Sequence, residues 1–437
     1  MGALTVAKFG GTSVATAGQL LKVKSIIDAG AARRVIVPSA PGKATPQDTK
    51  ITDLLYLAQQ LAAKSQGFDA LWDKISGRFL EISRELALDL DLVPALMEVK
   101  ARLAAGAGAQ YAASRGEALH GRVVAALLRA EYVDAAEVVL FDRSGRLDPR
   151  SYELIRARCS GPGRYVIPGF YGADASGEIR TFSRGGSDVT GSVVARALGA
   201  AIYENWTDVS GVLMTDPRVV AEAKPIVEIT YRELRELSYM GASVLHEEAV
   251  FPVQGLNIPI NIRNTNRPED PGTMIVSERD PGHQVVVGIA GTKGFTVFNV
   301  EKAMMNAEIG FGRRLLDVFE RLGVSYEHTP TGIDTMSVVV SDKQFTGTTT
   351  SEQIIEDITA AVKPDSIKVV PGMALVATVG QGMKHAIGTA ARLFTALAKA
   401  RVNVRMIDQG SSEQNIIVGV EEQDLATAIR AIYNEFA

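Results

Sequence analysis

A short stretch near the start of the chain, Lys8-Phe9-Gly10-Gly11-Thr12-Ser13, constrains the fold more than any other. Leu4-Thr5-Val6-Ala7 before it reads as a short buried strand. Val14 to Ala29 after it reads as a helix, with Leu20, Leu21, Val23, Ile26 and Ile27 as its apolar face. Two glycines, two hydroxyls and a lysine therefore stand where a strand feeds a helix. Glycines let backbone amides come close to an anion, and a helix start adds positive potential. Lys8 adds a full charge. A polyphosphate suits such a cradle. The lysine precedes the glycines, so this is not a Gly-x-x-x-x-Gly-Lys-Ser/Thr loop. The Gly-Gly pair alone would also fit a plain strand–helix turn with an exposed lysine.

Arg33 to Ala40 supplies the next strand, ending at Ser39-Ala40-Pro41-Gly42. Strand, helix, strand opens an α/β sheet, and ligands of such sheets gather at the carboxyl ends of strands. Ser39 should share that edge with Lys8, and Pro38 should mark the strand's end. Lys43 to Lys50 is a polar loop, and Ile51 to Lys64 reads as a helix with Thr52 in its first turn. Phe68 to Ala113 has long helical periodicity, expected to form a helical insertion or lid beside the sheet. Ser114-Arg115-Gly116-Glu117 is expected to open the following helix. A carboxylate at a helix start suits the helix dipole, which gives Glu117 a purely structural reading.

Composition excludes several classes. The 437 residues allow two to four domains, and 46% hydrophobic with 22% charged residues is ordinary for a globular protein. A net charge of −4 argues against a general binder of nucleic acid or membrane surfaces. The single cysteine, Cys159, cannot form an internal disulfide and reads as a small buried residue. No basic-then-apolar leader and no apolar run of ~20 residues stands in the sequence, so the cytoplasm is the expected location.

A second glycine pair lies in Ser183-Arg184-Gly185-Gly186-Ser187-Asp188, ahead of a helix from Val189 to Leu198. An arginine here can grip a carboxylate with two parallel hydrogen bonds. Asp188 would repel phosphate directly, so it should orient Lys8 or sit near a metal, unless it merely caps its own helix. Ala201-Ile202-Tyr203 reads as a strand leading to Asn205-Trp206-Thr207-Asp208-Val209-Ser210-Gly211-Val212 and then Thr215-Asp216-Pro217-Arg218. His246, a lone histidine, reads as structural. Asn264 to Gly272, with Pro268 and Pro271, reads as a domain boundary.

Beyond it the chain repeats. With a shift of 78 residues, Leu315 falls on Leu393, Phe319 on Leu397, Val324 on Val402, Gly332 on Gly410 and Val338 on Ile416. Strand candidates at 285–289, 295–300, 324–328 and 335–340 and a helix at 312–322 are followed by strands at 376–379, 402–407 and 415–420 and a helix at 387–400. The carboxyl-terminal third is therefore an internal duplication of a small βαββαβ-type unit.

Three motifs in order and spacing, Lys8 to Ser13, Arg184 to Asp188 and Thr207 to Arg218, resemble those of aspartate kinases in the amino acid kinase family. The duplicated third resembles tandem ACT modules, so the resemblance covers almost the whole chain. It implies an α/β fold: an amino acid kinase-like open sheet sandwich with helices on both faces, over residues 1–275, followed by two α+β ferredoxin-like ACT modules at 285–370 and 371–437. It implies phosphorylation of L-aspartate by ATP, magnesium travelling with the nucleotide and no separate protein metal site. The pathway would be that leading to lysine, threonine and methionine. Lys8 and Asp188 would be catalytic. Ser39, Thr52, Glu117, Arg184 and Ser187 would bind substrate, Glu117 through its ammonium group. Lys8, Gly10, Gly11, Thr12, Ser13, Thr207, Asp208, Asp216 and Arg218 would hold the nucleotide. The loop from Asn306 through Glu308 and Gly310 to Arg313, with Glu327 and Thr331, is the candidate effector pocket for lysine, alone or with threonine. The expected assembly is a homodimer or a dimer of dimers through the ACT modules, with no nucleic-acid or membrane partner.

Two departures stand out. Many family members carry Lys where this chain has Ser243 and Tyr where it has Leu213, so those two nucleotide contacts are not carried over. Two other readings compete: a kinase of another small acid such as glutamate or acetylglutamate, and an amino-acid-binding regulator with a silent kinase domain. Intact Lys8 and Arg184 disfavour the second.

Overall fold

The computed structural model describes residues 4–437 except Arg184, Ser243, Val244, His246, His283, residues 346–349 and His385. By internal contacts it divides into two compact units. The first holds residues up to Val212, Pro225–Tyr231 and Ser243–Arg279; the second holds Leu213–Lys224, Arg232–Ala242 and Asp280–Ala437.

The first unit is built on an eight-stranded sheet. Four strands form its centre: β1 (Thr5–Phe9), β2 (Arg33–Pro38), β3 (Ile202–Thr207) and β4 (Ile260–Asn264). The sheet runs Glu131–Tyr132, Tyr165–Val166, β2, β1, β3, β4, Thr273–Val276, Glu228–Thr230. Every pairing is parallel except that of β4 with Thr273–Val276. Parallel strands are buried on both faces, which is why β1 reads as an apolar run interrupted only by Thr5 and Lys8. The boundary expected at Asn264 to Gly272 does not fall there, because the chain turns back at once and Thr273–Val276 pairs with β4.

Helices α1 (Ala17–Asp28), α2 (Ile51–Ala63), α3 (Asp69–Glu85), α4 (Val93–Ala104) and α5 (Ala109–Leu128) follow in order. The stretch expected as a helical insertion or lid is helical and joins the core: Trp72, Ile75 and Phe79 of α3 and Leu96, Val99 and Leu103 of α4 pack in one cluster with Val23, Ile27 and Leu55. The helix after it begins at Ala109, just past the Gly106-Ala107-Gly108 break, so Glu117 lies in mid-helix and not at a helix start. Cys159 is buried.

In the second unit, β5 (Gly288–Glu301) and β7 (Ser366–Val379) are long and pair antiparallel along nearly their whole length. The second half of β5, from Phe295, also pairs with β6 (Thr335–Ser341). The far half of β7, from Met373, also pairs with β9 (Asn415–Glu421), which carries β8 (Met406–Asp408) at the sheet edge. The last strand of the second repeat is thus residues 288–293, which come before the first repeat in the chain. The strand expected at 324–328 is reduced to an isolated bridge between His328 and Val339.

The duplication is real in three dimensions. After α6 (Gly186–Leu198) of the first unit come α7 (Phe311–Arg321), α8 (Ser351–Val362) and α9 (Thr389–Lys399); the matching helices α7 and α9 start after Gly310 and Gly388, both left-handed. The alignment slips in the last strand. Phe295 and Met373 lie 78 apart, but their partners Ser341 and Glu421 lie 80 apart, so Val338 matches Val418 and not Ile416. The slip is even, so the buried face is kept.

Candidate active site

The parallel register places Lys8 of β1 beside Asn205 of β3, so both side chains leave the same face of the sheet. Asp188, in the first turn of α6, reaches them. Lys8 Nζ lies 2.5 Å from Asp188 Oδ1, and Asn205 Nδ2–H donates to the same oxygen at 2.9 Å. Lys8 Nζ also donates to Asn205 Oδ1 at 3.4 Å. Lys8 is 7% exposed and Asn205 3%, so the ammonium is held by two fixed acceptors out of bulk water. Asp188 makes no cap to its own helix; Gly185, left-handed at φ 57°, stands at the N-cap. Gly191 and Tyr203 lock the helix beneath, the tyrosine hydroxyl donating to the Asp188 carbonyl at 3.0 Å.

The glycine pair is divided in its work. Gly10 N–H donates to the Trp206 carbonyl at 2.9 Å, so it fixes the turn and is not offered to an anion. A Cβ on Gly10 would lie 3.4 Å from Lys8 Nζ, so the missing side chain leaves the lysine room. Gly11 and Thr12 amides find no acceptor among the described residues and are the donors left for a phosphate. Thr12 is exposed, whereas Ser13 is buried, accepting from Thr265 Oγ1 at 2.8 Å and facing the Trp206 carbonyl. The Ser13 hydroxyl therefore braces the loop from inside.

The neighbouring edge carries the substrate candidates. Ser39 N–H donates to the Phe9 carbonyl at 3.0 Å, which seats Ser39 and Ala40 next to the cradle. Gly116 permits α5 to press against this edge: a Cβ there would meet the Ala40 Cβ at 2.9 Å and Ile51 at 3.5 Å. That approach brings Glu117 to Ala40 and to the start of α2, where Thr52 stands. Glu117 is 6% exposed and its Oε2 has no partner among the described residues. Burial pushes its carboxyl up to about 8, against the backbone N–H of Ala40, which favours the charged form. Ser187 is buried at the start of α6, and Gly169 is held bare by it, since a Cβ there would lie 2.6 Å from the serine. Arg184 lies outside the described residues, as does Ser243.

Two residues escaped the sequence reading. Asn205 does, because its partnership with Lys8 depends on strand register across nearly two hundred residues. Arg78, on α3, is the other: its Nη2 donates to the Ala15 carbonyl at 3.0 Å and lies 3.4 Å from that of Gly42, while Nη1 lies 3.4 Å from Asp48. Those two carbonyls belong to the two loops that meet at the cradle, where Gly42 N–H donates to the Gly11 carbonyl at 2.9 Å. A basic residue on an otherwise amphipathic helix was the available signal.

The remaining expectations fall elsewhere. Thr207 ends β3 and its hydroxyl donates to Asp208 at 3.2 Å, with Asp208 exposed. Asp216 and Arg218 belong to the second unit and close on each other at 2.6 Å; the arginine holds the Asp216 carboxyl below its usual range. In the loop before α7, Asn306 N–H donates to the Ile333 carbonyl at 3.2 Å, which joins this loop to the turn carrying Thr331. Glu308 is engaged by Lys302 at 2.7 Å and by Arg314, and Lys302 lowers its carboxyl. Gly310 takes φ 82° at the N-cap, and Arg313 borders a cavity of about 600 Å³ with Asp317, Glu320 and Tyr326. Glu327 accepts from the Tyr239 hydroxyl. Thr331 Oγ1 donates to the Thr329 carbonyl at 3.0 Å.

Comparison with known proteins agrees with this geometry. Residues 3–264 match the amino acid kinase family and residues 376–436 an ACT domain. Aspartokinase 3 of Bacillus subtilis is 39% identical, over 99% of this chain and 98% of its own. The crystal structure of Clostridium acetobutylicum aspartate kinase superposes with a TM-score of 0.91 at 51% identity, covering 100% of both chains. Escherichia coli aspartokinase III, in complex with aspartate and ADP, gives a TM-score of 0.76 at 26% identity over 99% of each chain. The cradle at Lys8, the second glycine motif and the duplicated carboxyl-terminal third thus have one source: the chain belongs to the amino acid kinase family, among its aspartate kinases with carboxyl-terminal ACT domains.

Proposed function

We propose that this enzyme transfers the terminal phosphoryl group of ATP to the side-chain carboxylate of L-aspartate, giving 4-phospho-L-aspartate and ADP on the route to lysine, threonine and methionine. The observation that carries the reading is the buried Lys8–Asp188–Asn205 cluster beside the Gly11 and Thr12 amides. Such a transfer needs positioning and neutralisation of charge more than acid–base groups, because the acceptor carboxylate is already ionised at neutral pH. Lys8 faces the charge that shifts between phosphates. Asp188 and Asn205 fix the position of its ammonium. Glu117 receives the substrate ammonium, Ser39 and Thr52 complete that shell, and Arg184 clamps the α-carboxylate. Ser187 closes the shell at the start of α6.

Magnesium enters with ATP. The ion would be held chiefly by phosphates and water, with Asp188, 2.5 Å from Lys8, as the carboxylate nearest the cradle. The working form would be a cytoplasmic homodimer or dimer of dimers. Met304, Ile309 and Ile333, exposed at 69%, 96% and 70% around one loop of the first repeat, support self-association there. The inhibitor would be lysine, alone or with threonine. Its support is that Escherichia coli aspartokinase III, alike at 25% identity and a TM-score of 0.75, has been crystallised with lysine and aspartate.

A coupled assay of ADP release with aspartate, with glutamate and with no acceptor tests the reading. Aspartate-dependent turnover is expected. Equal turnover with glutamate would shift the substrate class, and no turnover with either would leave a regulator with a silent kinase domain.

A further inference from the structure

On the side of α5 away from Ala40, a cavity of about 270 Å³ opens between α4, α5 and the Tyr171–Asp174 hairpin region. Three arginines border it: Arg102 from α4, Arg115 and Arg122 from α5. Each guanidinium lies over a tyrosine ring. Arg102 and Arg115 both lie over Tyr111, 4.2 and 4.6 Å from its centroid, and Arg115 also lies 5.0 Å from the centroid of Tyr171. Arg122 lies 4.8 Å from Tyr132. None of the three has a carboxylate partner among the described residues.

Two acids also border the cavity. Glu98 is exposed. Asp134 is fully engaged by neutral donors: Tyr171 hydroxyl at 2.8 Å, Ala136 N–H at 3.0 Å and Tyr132 hydroxyl at 3.4 Å. Two guanidinium groups against one ring concentrate positive charge at the wall of the cavity. Arg115 spends its Nε and Nη2 on the Ser114 hydroxyl at 3.1 and 3.0 Å, whereas Arg102 and Arg122 are exposed, and a guanidinium fork suits recognition of phosphate or carboxylate.

We propose that this cavity binds a small polyanion, a phosphate ester or a polycarboxylate, at a site separate from the cradle for ATP and aspartate. The volume suits a compact metabolite of that class. Arg115 also lies near Glu117 and favours its ionised form. A bound anion would cancel part of that influence and weaken aspartate binding. This consequence rests on the role proposed for Glu117, while the binding itself does not.

The test is calorimetry on the full-length enzyme with Mg·ADP and aspartate saturating, so that the cradle is filled. Inorganic phosphate and tricarballylate are the two probes, and their comparison separates phosphate esters from polycarboxylates. Saturable binding of at least one probe is expected, weakened roughly tenfold or more by R102Q together with R122Q. Both positions are exposed, so turnover without added anion should stay unchanged, and each single variant serves as a check on folding. Absence of binding by both probes at millimolar concentration, or binding untouched by the double variant, overturns the proposal. If binding holds but the KM for aspartate does not rise with the anion, the coupling to Glu117 fails and the site stands.

Discussion

Lys8 Nζ and Asp188 Oδ1 stand 2.5 Å apart between a strand and the first turn of a helix 180 residues further along the chain. The pair is buried on the lysine side, and Asn205 binds both members. An ammonium held this way cannot follow its ligand; the ligand must come to it. That is the arrangement expected of a group that acts on charge redistributing in a transition state, not of one that only anchors a ground state.

Lys8→Ala should therefore lower kcat by roughly 10²–10³-fold and change either KM far less. Asp188→Asn keeps the shape but frees the ammonium to wander, and should lower kcat by a smaller factor. The double variant should be little worse than Lys8→Ala alone, because the two residues act as a unit. Steady-state kinetics with ATP and aspartate varied in turn decide this. A rise confined to the KM for ATP would make Lys8 a ground-state binder.

Glu117 gives a pH dependence whose sign follows from its burial. With its carboxyl raised to about 8, the free enzyme holds it neutral at pH 7. A substrate ammonium requires the carboxylate, so binding releases a proton below that pH. kcat/KM for aspartate should climb roughly tenfold per pH unit towards 8 and then level. Stability runs the other way. The folded form holds the proton more tightly than the unfolded chain, whose carboxyl ionises near 4.5, so this contribution is full below 4.5 and lost as pH rises towards 8. Glu117→Gln should flatten the rate profile and remove the stability slope. Melting temperature against pH, with and without aspartate, measures the second effect, and an unchanged slope in the variant would exclude Glu117 as its cause.

Arg78 predicts a variant that harms the site without touching a ligand. It fastens the loop at Ala15 to the loop at Gly42, and Gly42 could not carry a side chain, since a Cβ there would lie 2.6 Å from the Gly11 carbonyl carbon. Arg78→Gln should cost about 1–2 kcal/mol of stability. It should also lower kcat/KM for both substrates by about tenfold, since small misplacements are costly in a positioning mechanism. Arg78→Lys, which keeps charge but not the fork, should restore less than half of the loss. Wild-type kinetics in Arg78→Gln would leave the arginine a purely structural tie.

What could be read in the sequence was local. Lys8, the glycine pair and the first strand and helix are contiguous, so propensity and spacing place them. Asp188 was legible because its motif is also contiguous, although its choice between capping and Lys8 was not. Asn205 and Arg78 were not legible, since register and loop contact assign them. The helix of Glu117 begins five residues before Ser114, because the break is made by Gly106-Ala107-Gly108, with Gly106 left-handed, and the alanines after it are already helical. In the repeat, equal spacing showed the duplication. It could not show that residues 288–293 complete the second copy, nor the two-residue slip between Val338 and Val418, because both are fixed by hydrogen bonding between strands.

Lysine control is the last expectation. The loop at Asn306 and the turn at Ile333 are joined by a backbone hydrogen bond, and Asp334 adds a second tie, accepting from Met304 N–H at 2.9 Å. Glu308 is committed to Lys302 and Arg314, so it is poorly placed to receive a ligand ammonium. The Glu327 carboxylate accepts from the neutral Tyr239 hydroxyl and has no cationic partner among the described residues, which leaves its charge uncancelled. Glu327 is thus the better partner for the lysine side chain. An effector must favour one global state, on a scale of about 1–3 kcal/mol, or about 5–150-fold in apparent affinity. Lysine should inhibit the wild type, and Glu327→Ala should need at least about tenfold more of it. Tyr239→Phe, which keeps the acid and removes its neutral partner, should retain inhibition. Titrating lysine, threonine and both together against initial rates gives the answer. No inhibition by any of them removes the regulatory claim, and full inhibition in Glu327→Ala moves the pocket to another part of the repeat.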